Sequence, residues 1–279
     1  MDMSFSVITD EVGPGLNAGL RFAAEEGLAT VDIRSVGGVN FLSLPGSAQK
    51  LVAREIRDAG LQVGCFATPL LKWPAPGRSS GTAGDQFGFD AAGRLPAELY
   101  EAAFEAAAIL GTRHLRIFSL LTYDGFRVGD LQPDFELLIA GAERHDMVLH
   151  VENEPVCNIR TVADLIAVTT AWPHRRLRAL LDIGNAFYAG ASPSMAELAA
   201  VMPSVDQMHF KDYRKGPHAY VATGEGEVGY AELLPVCFKA AAGRTLALTV
   251  ETHMPLEQPA ATRRSLAALR RFAAAGASP

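Results

Sequence analysis

Residues 147–155 read MVLHVENEP, and this stretch decides the fold. Met147 to Val151 is a short run of strand-forming apolar residues around one histidine. It breaks at Glu152, Asn153 and Glu154, as a buried strand must where it emerges into solvent. The same pattern recurs three times downstream. Leu177 to Asn185 (LRALLDIGN) delivers Asp182, Val205 to Asp212 (VDQMHFKD) delivers His209, and Thr245 to His253 (TLALTVETH) delivers Glu251. Four successive strands thus end on a residue able to bind a metal. Such endings converge where parallel strands share a C-terminal mouth, which is where α/β barrels carry their chemistry.

Working outward, the rest of the chain alternates in the same way. Strands are expected at Phe5 to Ile8, Thr30 to Ile33, Leu61 to Ala67 and His114 to Ser119, the first ending in Thr9, Asp10 and Glu11. Helical periodicity covers Leu16 to Glu26, Ser47 to Ala59, Ala97 to Leu110 and Pro133 to His145, with Gly27, Gly60 and Gly111 as stops. In the second half, helices are expected at Thr161 to Trp172, Pro193 to Val201, Tyr230 to Ala242 and Ala260 to Ala275. Thr161 and Ser192 are read as N-caps, with Asp164 in the capping-box position after Thr161 and Pro193 as a first helical residue. Arg34 to Pro45, Thr68 to Pro96 and Tyr213 to Gly229 read as loops. The second is long enough to act as a lid or binding loop. Eight βα units in 279 residues fit one (β/α)8 TIM barrel over residues 1–279. A doubly wound sheet is the alternative, but no GxGxxG follows strand one and no switch point interrupts the ligand-bearing strands.

Hydrophobic residues make up 49% of the chain and charged residues 20%, an ordinary balance for a globular enzyme. A net charge of -6 without a basic run offers no groove for nucleic acid and no attachment to an anionic membrane. Cys65, Cys157 and Cys237 are far apart, so neither a disulfide framework nor a thiolate zinc site is indicated. MDMSFSVITDE has no charged segment leading into an apolar one, and no apolar run approaches the ~20 residues that span a bilayer. A cytoplasmic protein with reduced thiols is therefore expected.

Glu152, Asp182, His209 and Glu251 form an oxygen-rich set with one imidazole. That mixture suits Mn²⁺, Mg²⁺ or Co²⁺ better than a thiolate-favouring metal, and Zn²⁺ is also compatible. Around it, Arg116 lies in an apolar strand where a buried charge needs a partner or a substrate contact. Lys211 follows His209 by two and faces the same side. His253 lies two beyond Glu251, and Lys72 and Trp73 follow strand three as residues able to cover a ligand, Trp73 as an apolar wall. Glu154 and His150 fit supporting or packing roles, and Glu225 a turn.

The pieces VENEP (151–155), LDIGNA (181–186), MHFKDY (208–213), GEGEV (224–228) and VETH (250–253), with VDIR (31–34) and LRIFS (115–119), resemble the sugar phosphate isomerase/epimerase superfamily, the xylose-isomerase-like barrels. The resemblance covers nearly the whole chain. It implies that Glu152, Asp182, His209 and Glu251 bind a divalent metal and that Glu152 and Glu251 act as acid/base residues on either side of a substrate carbon. The reaction implied is proton abstraction next to a carbonyl of a sugar, sugar phosphate or keto-polyol, through an enediolate, giving isomerisation or epimerisation. Several epimerases of this type have histidine three positions after the strand-six Asp. Here the residue is Asn185, which can hydrogen-bond a sugar hydroxyl but cannot become a cationic donor. That departure keeps a dehydratase or lyase on a keto-sugar or keto-inositol as the rival. A repair endonuclease would need a larger ligand cluster and a basic groove, and a non-enzymatic binding barrel would not need the metal. The resemblance also leaves a homo-oligomer as an expectation.

Overall fold

The computed structural model describes residues 2–13, 15–81 and 86–276. Eight parallel strands share one sheet: β1 (Asp2–Val7), β2 (Thr30–Ile33), β3 (Gln62–Ala67), β4 (His114–Ile117), β5 (Val148–Glu152), β6 (Leu177–Asp182), β7 (Val205–Phe210) and β8 (Thr245–Val250). From β2 to β8 each strand pairs with the next in chain order, and β1 pairs with β8 from Asp2–Thr245 to Val7–Val250. A parallel bridge between Ile8 and Asp32 links β1 to β2 and brings the ring to near closure. The expected TIM barrel is therefore the observed fold.

Helices lie between the strands: α1 (Leu16–Glu25), α2 (Gly46–Asp58), α3 (Pro96–Leu110), α4 (Gln132–Arg144), α5 (Val162–Ala171), α6 (Ile183–Tyr188), α7 (Met195–Val201), α8 (Tyr230–Ala240) and α9 (Gln258–Gly276). Leu149, Val151, Met208, Phe210, Leu246, Leu248 and Val250 are fully buried in the apolar core, while His150, Glu152, Gln207, His209 and Thr249, of the other parity in these strands, carry polar groups. The polar interior explains why β1 begins at Asp2, three residues before the apolar signal. Ser4 and Ser6 line a polar cavity at the N-terminal end of the barrel, so strand residues there need not be hydrophobic. In the wall of this cavity, Asp32 accepts hydrogen bonds from Ser6 Oγ (3.0 Å), Thr249 Oγ1 (2.8 Å), Gln207 Nε2 (2.7 Å) and the Cys65 N–H (3.0 Å).

Strand six ends on Asp182 as read, and its carboxylate accepts the Asn185 N–H at 2.7 Å and caps α6, a short helix growing directly from the strand end. Two local readings change. The cap of α7 is Ser194, not Ser192, because Glu197 three residues on closes a reciprocal box with it, with Ser194 N–H and Oγ donating to Glu197 Oε2 at 2.8 and 2.7 Å. The loop 34–45 contains a two-stranded hairpin, Ser35–Val36 with Val39–Asn40. The capping box at Thr161 and Asp164 forms as expected. Of the long loop 68–96, residues 82–85 lie outside the described residues.

The GEGEV segment has a structural explanation. After β7, Asp212–Arg214 and Ala219–Val221 form an antiparallel hairpin, and the chain turns back over Asp212. The buried Asp212 carboxylate accepts N–H bonds from Tyr213, Gly224, Gly226 and Val228 at 2.9–3.1 Å. A Cβ on Gly226 would lie 2.1 Å from Asp212 Oδ1, so the close wrap requires glycine there. Glu225 points outward to Arg264. Asp212→Ala leaves these N–H groups without their acceptor and is expected to destabilise the protein by about 3 kcal/mol, against less than about 0.5 kcal/mol for Glu225→Ala. Urea denaturation of both variants checks this.

Candidate active site

The ends of β5 to β8 bring four predicted ligands together. One ligand atom from each of Glu152, Asp182, His209 and Glu251 lies within 4.8 Å of the others, and all four residues are buried. The backbone sets this spacing. Asn153 clamps β5 to β6, its Nδ2 donating to the Asp182 carbonyl (2.7 Å) and its Oδ1 accepting the Asp182 N–H (2.8 Å). Asp182 is register-paired with His209 across β6 and β7. His209 Nδ1 lies 3.1 Å from Glu152 Oε1 and 3.4 Å from Glu251 Oε2, so the two glutamates converge on one imidazole nitrogen.

Four cations are packed into the same volume. Lys211 Nζ lies 2.6 Å from Glu251 Oε2, 2.9 Å from Asp182 Oδ2 and 3.2 Å from Asn185 Oδ1. Arg116 Nη1 lies 3.2 Å from Glu152 Oε2 and 3.8 Å from Glu251 Oε1, its guanidinium over the Phe118 ring. Arg34 Nη1 donates to Glu251 Oε1 at 2.7 Å, while Nη2 reaches Glu11 Oε1 (2.6 Å) and Asp10 Oδ1 (2.8 Å). Lys72 Nζ lies 3.5 Å from Glu154 Oε2 and 4.8 Å from the centre of the Phe118 ring.

Burial pushes the Glu152 carboxyl up, but His209 and Arg116 more than reverse this and hold it down to about 2. Burial raises Asp182 to about 6 against the pull of Lys211, with Glu152 and Glu251 adding to the rise. Burial disfavours the charged form of His209, yet Glu152 and then Glu251 lift it to about 9. Glu251, also pushed up by burial, is brought well below the usual range chiefly by Lys211.

These features fit a divalent cation. Glu152 Oε2 and Asp182 Oδ2 are buried without an aligned hydrogen-bond donor, although Arg116 and Lys211 stand at ion-pair distance. The imidazole holds a proton because the carboxylates concentrate negative charge, and a metal ion would relieve that charge in its place. Ligand atoms around an ion at about 2.0–2.2 Å lie roughly 3–4.4 Å apart, close to the observed spread. Above the cluster is a cavity of ≈ 340 Å³ whose floor is Glu251.

The other predicted site residues divide. Arg116, Lys72 and His253 line this cavity, and His253 Nε2 lies 3.8 Å from Glu251 Oε2. Lys211 lies beneath it. Asn185 is 2% exposed and does not line the cavity. Its Nδ2 donates to the Asn153 carbonyl and its Oδ1 faces Lys211, so its amide is committed to the protein. Trp73 lines a separate groove, stacked on Phe89 with ring centres 6.2 Å apart, rather than forming an apolar wall over the cluster. The sequence reading did not single out Asp10, Glu11, Arg34 or Tyr220 as site residues. The first three end strands one and two, and that position was their signal. Tyr220 comes from the hairpin after β7, its ring 5.1 Å from that of His253, with no pattern to mark it.

A (β/α)8 barrel with a buried carboxylate–imidazole cluster at its C-terminal mouth defines the class. The chain belongs to the xylose isomerase-like TIM barrel family, whose sequence model matches residues 20–272. Among solved structures it resembles the IOLI protein with a bound zinc atom, at 15% identity over 100% of both chains and a TM-score of 0.75. It also resembles L-ribulose 3-epimerase, at 13% identity over 99% of this chain and 96% of that one, TM-score 0.73. A third is the probable 3-DHS dehydratase AsbF involved in petrobactin synthesis from Bacillus anthracis, at 16% identity over 96% and 99% of the two chains, TM-score 0.70. At these identities the likeness is one of fold. No curated protein matches the sequence at a significant level. No helix among the described residues is long and apolar enough to cross a membrane.

Because Arg34 serves the buried Glu11 and Glu251 and the partly buried Asp10, Arg34→Met is expected to destabilise the protein by about 3–5 kcal/mol. Arg34→Lys, which cannot span all three, is expected to recover less than half of that in the same denaturation experiment.

Proposed function

We propose that this protein is a divalent-metal-dependent isomerase or epimerase of a sugar or keto-polyol, working by proton abstraction next to a carbonyl. The observation that carries the reading is the convergence of Glu152 and Glu251 on one His209 nitrogen inside the four-residue cluster. Glu152, Asp182, His209 and Glu251 would hold the metal, with Mn²⁺, Mg²⁺ or Co²⁺ as the favoured ions and Zn²⁺ also accommodated. When bound, the ion would polarise a carbonyl and its neighbouring hydroxyl and so acidify the adjacent C–H.

The chain's own groups handle the proton. Glu152 Oε2, buried and without an aligned donor, is the oxygen best placed to accept it. Glu251, held from outside by Arg34 and from below by Lys211, lies across the His209 nitrogen and can relay a proton from Lys211 Nζ, 2.6 Å from its Oε2, to the resulting enediolate. Glu152 then gives up the proton it took to solvent, and Lys211 regains one from it. Return to the same carbon from the opposite face inverts it, and return to the neighbouring carbon isomerises the sugar. Arg116, within reach of both glutamates, keeps them apart in charge and in space. The buried free thiols Cys65, Cys157 and Cys237 support a cytoplasmic enzyme.

A dehydratase is the second reading. His253 lines the cavity beside Glu251 and could protonate a departing hydroxyl at the stage where an isomerase would reprotonate carbon.

Two measurements test the proposal. Mn²⁺ or Co²⁺ at 100 times its Kd should stabilise the protein by about 2.7 kcal/mol. An Asp182→Asn, His209→Ala double variant should lose this effect. With metal present, NMR should detect solvent deuterium entering a ketose, keto-inositol or 3-keto-glycoside, and Glu152→Gln and Glu251→Gln should each slow that exchange by roughly 10²–10⁴-fold. Exchange with retained carbon–oxygen bonds supports the isomerase, exchange with loss of water supports the dehydratase, and absence of metal binding sinks both.

A further inference from the structure

From the ion pairing of the cavity wall we infer that the substrate is uncharged, a polyhydroxy carbonyl compound without phosphate or carboxylate. The inference rests on the metal-dependent reading above. Each basic side chain of the site is already held by a carboxylate. Arg34 serves Asp10, Glu11 and Glu251, Arg116 serves Glu152 and Glu251, Lys211 serves Asp182 and Glu251, and Lys72 serves Glu154. Six carboxylates thus surround these four cations, and no cation of the wall is left over to attract an anion.

A phosphate or carboxylate entering the cavity would therefore have to break an existing ion pair, and it would meet the released carboxylate at close range. Backbone donors do not make up the difference. The start of α9, whose Gln258 lines the cavity, gives up one donor to Pro259, and the Gln258 side chain already donates to the Asp10 carbonyl. Hydroxyl groups suit the same wall, because they can donate to carboxylates and accept from guanidinium groups without altering its charge. The cavity of ≈ 340 Å³ lies near the lower end of ligand-pocket sizes, roughly 300–1,000 Å³, and matches one small ring or short chain.

The experiment pairs ligands of one carbon skeleton: a ketohexose, its phosphate monoester and the corresponding keto-acid. Binding is followed by the visible absorption of Co²⁺-loaded protein and by thermal shift with and without Co²⁺, so selectivity is read independently of turnover. The expected result is that the uncharged sugar binds at least about tenfold more tightly than either anion. Glu154→Gln, which releases Lys72, should then improve phosphate-ester binding relative to that of the sugar by about tenfold. Anions that bind as tightly as the sugar, a protein that responds to neither kind, or a Glu154→Gln variant with unchanged selectivity would overturn the inference. Failure to bind Co²⁺ would instead overturn the metal-dependent reading, while the metal-free thermal shifts still report the charge preference.

Discussion

The site is governed by the problem of keeping Glu152, Asp182 and Glu251 charged while all three are almost wholly buried. Two like charges about 4 Å apart repel by about 4 kcal/mol at an effective dielectric near 20, so three buried carboxylates need counter-charge built into the wall. Glu251 shows the solution most clearly, with Arg34 on one oxygen and Lys211 on the other. Glu152 leans on His209 and Arg116, and Asp182 on Lys211 and the N–H of α6. Each of these side-chain cations touches more than one acid.

This packing of charge dictates backbone choices that look unrelated to chemistry. Lys211 can reach Asp182 only if α6 passes close to β7, and a Cβ on Gly184 would stand 2.6 Å from the Lys211 carbonyl. Asn185 completes the cradle by offering Lys211 its side-chain oxygen while tying its amide to Asn153. Asparagine at this position therefore has a local explanation that does not involve substrate. The chain leads from Lys211, which pairs with Asp182, straight into Asp212 and its ring of N–H donors, so two buried carboxylates of opposite purpose are served by adjacent residues. One is stabilised by cations it can exchange, the other by peptide dipoles it cannot.

The barrel and the four residues of its buried cluster were legible because each depends on local order: an apolar run, then a polar residue where the strand ends. Glu152, Asp182, His209 and Glu251 needed no knowledge of distant contacts. Arg34, Asp10 and Glu11 carried the same strand-end mark, but their importance depends on meeting Glu251 across 217 residues of separation in the case of Arg34. Only closure of the barrel creates that meeting. The misplaced features have equally local causes. Ser192 lacks a Glu or Asp three residues later, Trp73 finds Phe89 as a packing partner, and the polar serines of β1 hide a strand that faces a polar interior.

Closure also shows why site and fold cannot be separated here. β1 and β2 meet through a single bridge, whereas the other neighbours share ladders of backbone hydrogen bonds. Side chains make up for that thin seam. Asp32 on β2 takes hydrogen bonds from Ser6 on β1, Gln207 on β7 and Thr249 on β8, and Arg34 above it joins the ends of β1 and β8 through Asp10, Glu11 and Glu251. Glu11 then accepts from Thr252 Oγ1 and the His253 N–H, closing the loop back onto the cavity wall. Active-site residues often weaken a protein because they hold charge or strain that packing would remove. In this barrel the charges that shape the site also lace the last strand to the first, so their stabilising and positioning effects have the same physical origin.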